Sequence, residues 1–171
     1  QDLQQATHTS LVGGDTTATP GPVTVTITVL GLVTHGHAVL RHGAKPGDRL
    51  YVSGTIGDAY LGLRLLTEPS LGRDWGLSEA ETAFLVDRYR RPQPRMELVI
   101  PVRNFAQAAI DVSDGLAADI EKLARASHAG PTVQADKVPL SPAARKVLAR
   151  DPKLLAALLT AALERQSAVA H

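Results

Sequence analysis

Two aspartates, Asp111 and Asp114, lie three residues apart with Ser113 between them and Gly115 directly after. Carboxylate oxygens are the ligands that Mg²⁺ prefers, and this ion usually keeps waters and substrate phosphates in its coordination shell. An amphipathic helical pattern follows the glycine, and a helix start offers free N–H groups to a phosphate. The segment therefore predicts a seat for a divalent cation and a phosphate. A simpler interpretation stays open, because Asp and Ser are also common N-cap residues and Asp-Gly is a common turn.

Two further glycine loops are candidates for ligand contact. The first is Gly13-Gly14-Asp15, a second acidic glycine loop upstream of Asp111. The other is 54–58, which stands between a short strand pattern and a helical pattern, the arrangement that lets backbone approach a phosphate. The simpler alternatives are that Asp15 satisfies its own turn and that 54–58 is an ordinary strand-to-helix connection.

Composition narrows the classes of function. The chain has no cysteine, which removes thiol catalysis, disulfides and zinc–thiolate sites and fits a reducing, cytoplasmic location. Its 18 Lys and Arg nearly balance 17 Asp and Glu and form no basic stripe, so we expect no nucleic-acid partner. The most apolar stretch, 154–163, is about half of the roughly 20 residues that cross a bilayer, so we expect no membrane partner. The start of the sequence shows no secretory pattern and no initiator methionine, which suggests a piece of a longer chain.

Hydrophobic periodicity predicts the elements that would carry these loops. Residues 23–33 alternate Val or Ile with Thr, which predicts a strand with one half-buried face. Further strands are predicted at 49–53, 108–112 and 131–135. Helices are predicted at 59–67, 78–88, 96–109, 116–126, 141–149 and 152–168. Ser78, with Glu81 three residues later, and Ser141 are the predicted N-caps. We therefore expect a layered fold of the α/β to α+β class.

Five stretches together resemble the thiamine-monophosphate kinases, which belong to the superfamily of aminoimidazole ribonucleotide synthetase and selenophosphate synthetase. They are LVGGDTTATPGPVTVTITVLG, LRHGAKPGDRLYVSGTIGDAYLGLRLL, RYRRPQPR, AAIDVSDGLAADIEKLARAS and VPLSPAAR. They occur in the family's order and with similar separations, from about Leu11 to Arg145. The combination of VGGDTT, GAKPGDRLYVSG, RPQPR and IDVSDG is far more specific than any single glycine motif.

The resemblance implies that the γ-phosphoryl group of ATP is transferred to thiamine monophosphate, giving thiamine diphosphate, with Mg²⁺ as cofactor. Since the acceptor is itself a phosphate, catalysis is expected to consist of positioning and charge neutralisation. The implied magnesium ligands are Asp15, Asp111 and Asp114. The implied nucleotide contacts are Gly14, Asp15, Arg41 and Ser113. These assignments require the three aspartates, which are distant in sequence, to face a common pocket.

The surroundings of Arg41 allow other interpretations. A planar guanidinium suits phosphate geometry, but Arg41 is also explained as a solvated surface charge. His35, His37 and His42 lie nearby, and their spacing does not make a convincing metal-binding set. Hard cations prefer oxygen ligands to imidazole, so we expect no histidine–metal site.

The chain departs from the family pattern at both ends. The family carries an acidic Gly-Asp-Asp motif and a further metal-binding Asp before this region, and a Gly-Gly-Asp-Asp-Tyr-Glu-Leu motif after it. Neither occurs in this sequence. We therefore expect a partial two-domain fold similar to aminoimidazole ribonucleotide synthetase. Residues 1–38 would be a remnant of the N-terminal ATP-binding domain, which is mostly missing, and 39–171 an incomplete C-terminal domain.

Several functional expectations follow from this partial match. The chain alone should have little or no kinase turnover, because carboxylates that share an ion act as a unit. Apolar surface around 23–33 should be exposed, and the full-length protein is expected to be a homodimer. Two alternatives stay open: a non-catalytic fragment that keeps the fold, and another ATP-using synthetase of the same superfamily. The pairing of VGGDTT with RPQPR argues against the synthetase.

Overall fold

The computed structural model describes residues 2–160, with side chains from Gln4 onward. Its helices are α1 (Asp2–Thr7), α2 (Asp58–Thr67), α3 (Leu71–Asp74), α4 (Glu79–Arg90), α5 (Val99–Phe105), α6 (Leu116–Ala126), α7 (Pro142–Arg150) and α8 (Leu154–Thr160). Short 3-10 turns occupy Met96–Leu98 and Ala135–Lys137. No helix within this part of the chain is long and apolar enough to cross a membrane.

The helix starts at α4 and α7 confirm the caps that the sequence predicts. The Ser78 hydroxyl accepts the backbone N–H of Glu81 at 3.2 Å, and the Glu81 carboxylate accepts the backbone N–H of Ser78 at 2.7 Å. Ser141 accepts the N–H of Ala144 at 3.0 Å, and Pro142 takes the first helical position, where no intrahelical N–H bond is needed. The reciprocal pair at α4 and the single bond at α7 satisfy donors that a helix start otherwise leaves unpaired.

The main core lies where α2 packs against α4, α7 and α8. Its buried members are Leu61, Leu65, Trp75, Leu85, Ala143, Ala144, Val147 and Leu158. The two helices α2 and α4 approach closely at Gly62, where a Cβ would lie 2.0 Å from the backbone oxygen of Leu85. Glycine is therefore required at this position if the two helices are to approach so closely.

A second apolar cluster joins the 54–58 loop to α6. Ile56, Leu116, Ile120 and Val138 are its buried members, with Val52 and Leu159 packed against it. The backbone N–H of Ile56 also donates to the carbonyl oxygen of Pro139 at 2.9 Å. This cluster fixes the loop before α2 beside the start of α6.

The predicted strand at 23–33 is wrong within the described residues. No strand is assigned anywhere in residues 2–160, and no backbone hydrogen bond joins 23–33 to another described segment. Val25, Ile27 and Val29 are 78%, 74% and 77% exposed, and the threonines between them are exposed as well. A strand is held by hydrogen bonds to neighbouring backbone, so alternation without a partner does not produce one. The expected exposure of apolar side chains in this segment is confirmed.

The remaining element predictions are confirmed for most helices and corrected elsewhere. The strands predicted at 49–53, 108–112 and 131–135 are also not formed in the described chain. The predicted helix at 96–109 is instead a 3-10 turn followed by α5, which ends at Phe105. Pro101 is accommodated because it lies in the first turn of α5, where its missing N–H is not needed. The predicted helix at 152–168 corresponds to α8 as far as Thr160, and its remainder lies outside the described residues.

Candidate nucleotide and metal site

The loop that carries Asp111, Ser113 and Asp114 leads into α6 through Gly115. Gly115 has a φ of 115°, a conformation that favours glycine, and it is the N-cap of the helix. No side chain forms a hydrogen bond in the capping position of α6. The interpretation of Ser113 or Asp114 as the N-cap is therefore wrong.

Asp119, one turn into α6, binds the backbone of this loop through its carboxylate. Asp119 is 1% exposed, and one of its carboxylate oxygens accepts both the Ser113 N–H at 2.8 Å and the Asp114 N–H at 2.9 Å. These two N–H groups are thus already engaged and do not face a phosphate. A ligand at this loop would therefore have to be bound by groups other than these two N–H groups.

Lys122 joins the two carboxylates of the loop and the helix. Its ammonium group donates to the second oxygen of Asp119 at 2.8 Å and forms an ion pair with Asp114. Burial by itself raises the pKa of Asp119, but the bonds from Lys122 and from the backbone N–H groups outweigh it, so that pKa lies below its ordinary value. Asp114 and then Asp119 raise the pKa of Lys122. Lys122 therefore already neutralises part of the negative charge of Asp114 and Asp119.

The backbone around Arg41 runs along the segment that leads to Asp111. The N–H of Ala109 donates to the carbonyl oxygen of Leu40 at 2.9 Å. At the other end of α6, the Ser127 hydroxyl donates to the carbonyl oxygen of Arg41 at 3.4 Å and accepts the N–H of Ala44 at 3.2 Å. The side chains of Arg41 and Asp111 are both exposed. The structure thus brings the backbone of these two predicted site regions together and leaves both side chains open to solvent.

The loop of Gly14 and Asp15 is exposed and makes a local turn. The Asp15 carboxylate accepts the N–H of Thr16 at 2.8 Å, which is the turn interpretation that the sequence left open. A single bond of this kind uses one lone pair and leaves other lone pairs of the carboxylate for a cation.

The described residues do not assemble a complete metal centre. No group of three or more His, Asp or Glu side chains within residues 2–160 is placed to hold an ion, so Asp15, Asp111 and Asp114 do not converge there. The donor chemistry of the Asp111–Asp114 loop nevertheless suits Mg²⁺, which is commonly held by one or two carboxylates together with substrate phosphates. The three histidines near Arg41 are exposed and belong to no such group in the described chain.

The 54–58 loop belongs to one of the five stretches that carry the family resemblance and contacts two others, RPQPR and VPLSPAAR. Gly54, with φ of 72°, lies against the RPQPR stretch: a Cβ there would be 2.0 Å from a terminal guanidinium nitrogen of Arg95. Asp58 is 2% exposed and accepts hydrogen bonds from the hydroxyl of Thr55 and, at 2.5 Å, from that of Ser141. The loop is thereby tied to the starts of both α2 and α7.

Sequence reasoning missed the roles of Asp58, Asp119 and Lys122. A signal for Asp119 was present, because at 100° per residue it falls beside Leu116 and Leu123 on the apolar face of α6. An acidic residue on such a face needs partners, and Lys122 is three residues further along the same side. For Asp58, the buried contact with Ser141 joins residues that are 83 positions apart, and no local pattern indicates it.

Two of three comparisons with known proteins find similar proteins, and both find thiamine-monophosphate kinases. No protein-family model matches the chain. The thiamine-monophosphate kinase of Caulobacter vibrioides is 48% identical over 145 residues, which are 84% of this chain and 39% of the relative. That of Salmonella typhimurium is 41% identical over 133 residues, 78% of this chain and 39% of the relative. The chain thus spans about 39% of the length of these curated relatives.

Solved structures of similar proteins agree with the sequence matches. The crystal structure of thiamine-monophosphate kinase from Stenotrophomonas maltophilia superposes with a TM-score of 0.66 at 38% identity, over 80% of this chain and 46% of that one. AaThiL complexed with AMPPCP and TMP superposes with a TM-score of 0.62 at 33% identity, over 71% of this chain and 38% of that one. These scores relate the arrangement of the chain to part of each of these folds.

Proposed function

We infer that this chain, a partial member of the thiamine-monophosphate kinase family, supplies part of the ATP- and Mg²⁺-binding surface for phosphorylation of thiamine monophosphate. The observation that carries this proposal is the 48% identity over 84% of the chain. The structural match to AaThiL, a protein in complex with AMPPCP and TMP, supports the same conclusion.

The proposed reaction is direct transfer between two phosphates. The bond between the γ-phosphorus of ATP and its β–γ bridging oxygen breaks, and an oxygen of the thiamine monophosphate phosphate bonds to that phosphorus. The products are ADP and thiamine diphosphate. Mg²⁺ would neutralise phosphate charge during this transfer. The chain's own residues bind and orient the nucleotide, since little other chemistry is required of the protein.

The proposed site uses the residues identified in the sequence. Asp111 and Asp114 are proposed Mg²⁺ ligands, and Asp114 would share its carboxylate between the ion and Lys122, with which it forms an ion pair. Asp15 is proposed as a further Mg²⁺ ligand. Nucleotide contacts are proposed for Gly14, Asp15, Arg41 and Ser113. A layered fold of two domains divided near residue 38, and a homodimer, complete the proposal for the whole protein.

A second candidate is a nucleotide-binding fragment without turnover. The observation that favours it is that Asp15, Asp111 and Asp114 are not gathered within residues 2–160. On this basis the chain alone is expected to bind Mg-ATP weakly and to produce little thiamine diphosphate.

Calorimetric titration of the purified chain with Mg-ATP tests the binding part of the proposal. Asp111→Asn and Asp15→Asn should each weaken binding, because both remove a negative ligand, whereas the exposed Glu121→Gln on α6 should not. Chromatographic separation of thiamine monophosphate from thiamine diphosphate measures turnover in the same samples. Unchanged Mg-ATP binding in both aspartate variants, or no binding by the wild-type chain, would overturn the proposal.

A further inference from the structure

We propose that Asp119 is the positioning residue of the site loop: its buried carboxylate sets the backbone at Ser113 and Asp114, so that their side chains face the nucleotide and the ion. This inference rests on the proposed function, because it assigns a purpose to a loop whose ligands are themselves proposed. Nothing in the loop motif alone indicates it, since Asp119 lies five residues beyond Asp114.

The first support is the direction of the Asp119 contacts. A carboxylate near a helix start commonly accepts N–H groups of its own first turn. Asp119 instead reaches back beyond the start of α6 and accepts the N–H groups of the residues five and six positions earlier, at 2.9 and 2.8 Å. One oxygen atom therefore fixes two consecutive peptide groups of the loop.

The second support is the chain of contacts that ends on a proposed ligand. The other oxygen of Asp119 accepts a hydrogen bond from Lys122, and Lys122 forms an ion pair with the Asp114 carboxylate. The same buried group thus restrains both the backbone and the side chain of Asp114. Charge-assisted bonds of this kind are stronger than neutral ones, and the Asp119 end of these contacts is buried, while Lys122 and Asp114 remain partly exposed.

The third support is that both oxygens of the buried carboxylate are engaged by this loop and by Lys122. An ionised carboxylate is costly to bury unless its hydrogen-bonding capacity is satisfied, and here it is satisfied by the loop and by Lys122. Gly115 provides the sharp turn that lets the loop return over Asp119. We infer that the burial of Asp119 serves to hold the loop.

The test measures loop order and ligand binding separately. Amide hydrogen exchange followed by NMR reports on the Ser113 and Asp114 N–H groups without any ligand. In Asp119→Ala both amides should exchange faster by about tenfold or more, since each loses a bond to a charged acceptor. Asp119→Asn keeps an acceptor oxygen for the two N–H groups but presents an NH₂ group to Lys122, so it should rescue part of the protection.

Calorimetry with Mg-ATP on the same variants gives the functional readout. Affinity should fall about tenfold or more in Asp119→Ala and less in Asp119→Asn. Two controls separate positioning from general loss: Val147→Ala removes core volume at α7, and Glu121→Gln removes an exposed carboxylate from the same helix. Neither control should change the exchange of these two amides selectively.

The outcomes distinguish this inference from the proposed function. If folded Asp119→Ala keeps slow exchange at Ser113 and Asp114, or binds Mg-ATP as tightly as the wild type, Asp119 is not a positioning residue. If the wild-type chain binds no Mg-ATP while the exchange rates change as expected, the proposed function fails, and the role of Asp119 in positioning nucleotide ligands fails with it.

Discussion

Replacing Gly62 with alanine tests the close crossing of α2 and α4. The new methyl group would lie 2.0 Å from the Leu85 oxygen and 2.7 Å from its carbonyl carbon. Ordinary contacts lie at about 3.5 Å or more, so the helices would have to separate by roughly 1.5 Å. Because both obstructing atoms belong to the backbone, no change of rotamer relieves the overlap.

The magnitude follows from two opposing effects. Alanine gains about 1 kcal/mol over glycine in a helix interior. Overpacking a core costs about 1–3 kcal/mol, and a rigid backbone obstacle belongs in the upper half of that range. The net free energy of unfolding should therefore fall by about 1–2 kcal/mol. For a chain of this length, the melting temperature should fall by about 2–8 °C.

Thermal unfolding followed by fluorescence measures this effect directly, because Trp75 is the single tryptophan and is buried in the same core. Gly72→Ala is the matched control: its Cβ would lie 3.5 Å from the Thr82 hydroxyl oxygen, an ordinary contact. The control should remain within about 0.5 kcal/mol of the wild type. If Gly62→Ala is as stable as Gly72→Ala, the two helices do not approach as closely as described and the reasoning is refuted.

Two further perturbations have clear expected signs. Hydrogen bonds from Lys146 and then from the Ser78 N–H lower the pKa of Glu81 from 4.5 to about 2. The ionised Glu81 carboxylate therefore stabilises the fold above pH 4.5, and this stabilisation is lost as the pH falls toward 2. Urea titrations should show that the difference in unfolding free energy between wild type and Glu81→Gln shrinks over that pH range. Gly115→Ala places a side chain at a φ of 115°, so it should lower the free energy of unfolding by more than about 1 kcal/mol. The control Ala117→Gly, on the exposed face of α6, should lower it by about 1 kcal/mol or less. Equal losses in the two variants would contradict the strain argument.

The helical part of the fold is largely predictable from local sequence. The capping residues of α4 and α7 and the apolar stripe of α6 lie within a few positions of the elements that they define, so their spacing carries the information. The segment at 23–33 is different, because alternation indicates which side chains share a face but not whether another strand is present to pair with it.

The candidate site also combines features that local sequence predicts with features that depend on distant contacts. The acidic glycine motif identified Asp111 and Asp114 as chemically interesting, and their position in one loop follows from their proximity in sequence. The buried group that organises this loop was missed: the position of Asp119 on the apolar face of α6 indicates that it needs partners, but does not show that the partners are the Ser113 and Asp114 N–H groups. The relation of Asp15 to the other aspartates depends on tertiary contacts that no local pattern specifies.

The helix α6 sets a fixed distance between two of its contacts with other segments, one near each end. Near the start of α6, Asp119 binds the backbone of the preceding loop. Just after the helix ends, the Ser127 hydroxyl donates to the carbonyl oxygen of Arg41. Asp119 and Ser127 are eight residues apart, and at about 1.5 Å per residue they are separated by roughly 12 Å along the helix axis, a distance that a regular helix does not stretch or shorten. One inserted residue would turn one contact by about 100° relative to the other, so the length of α6 is constrained even at its solvent-facing positions.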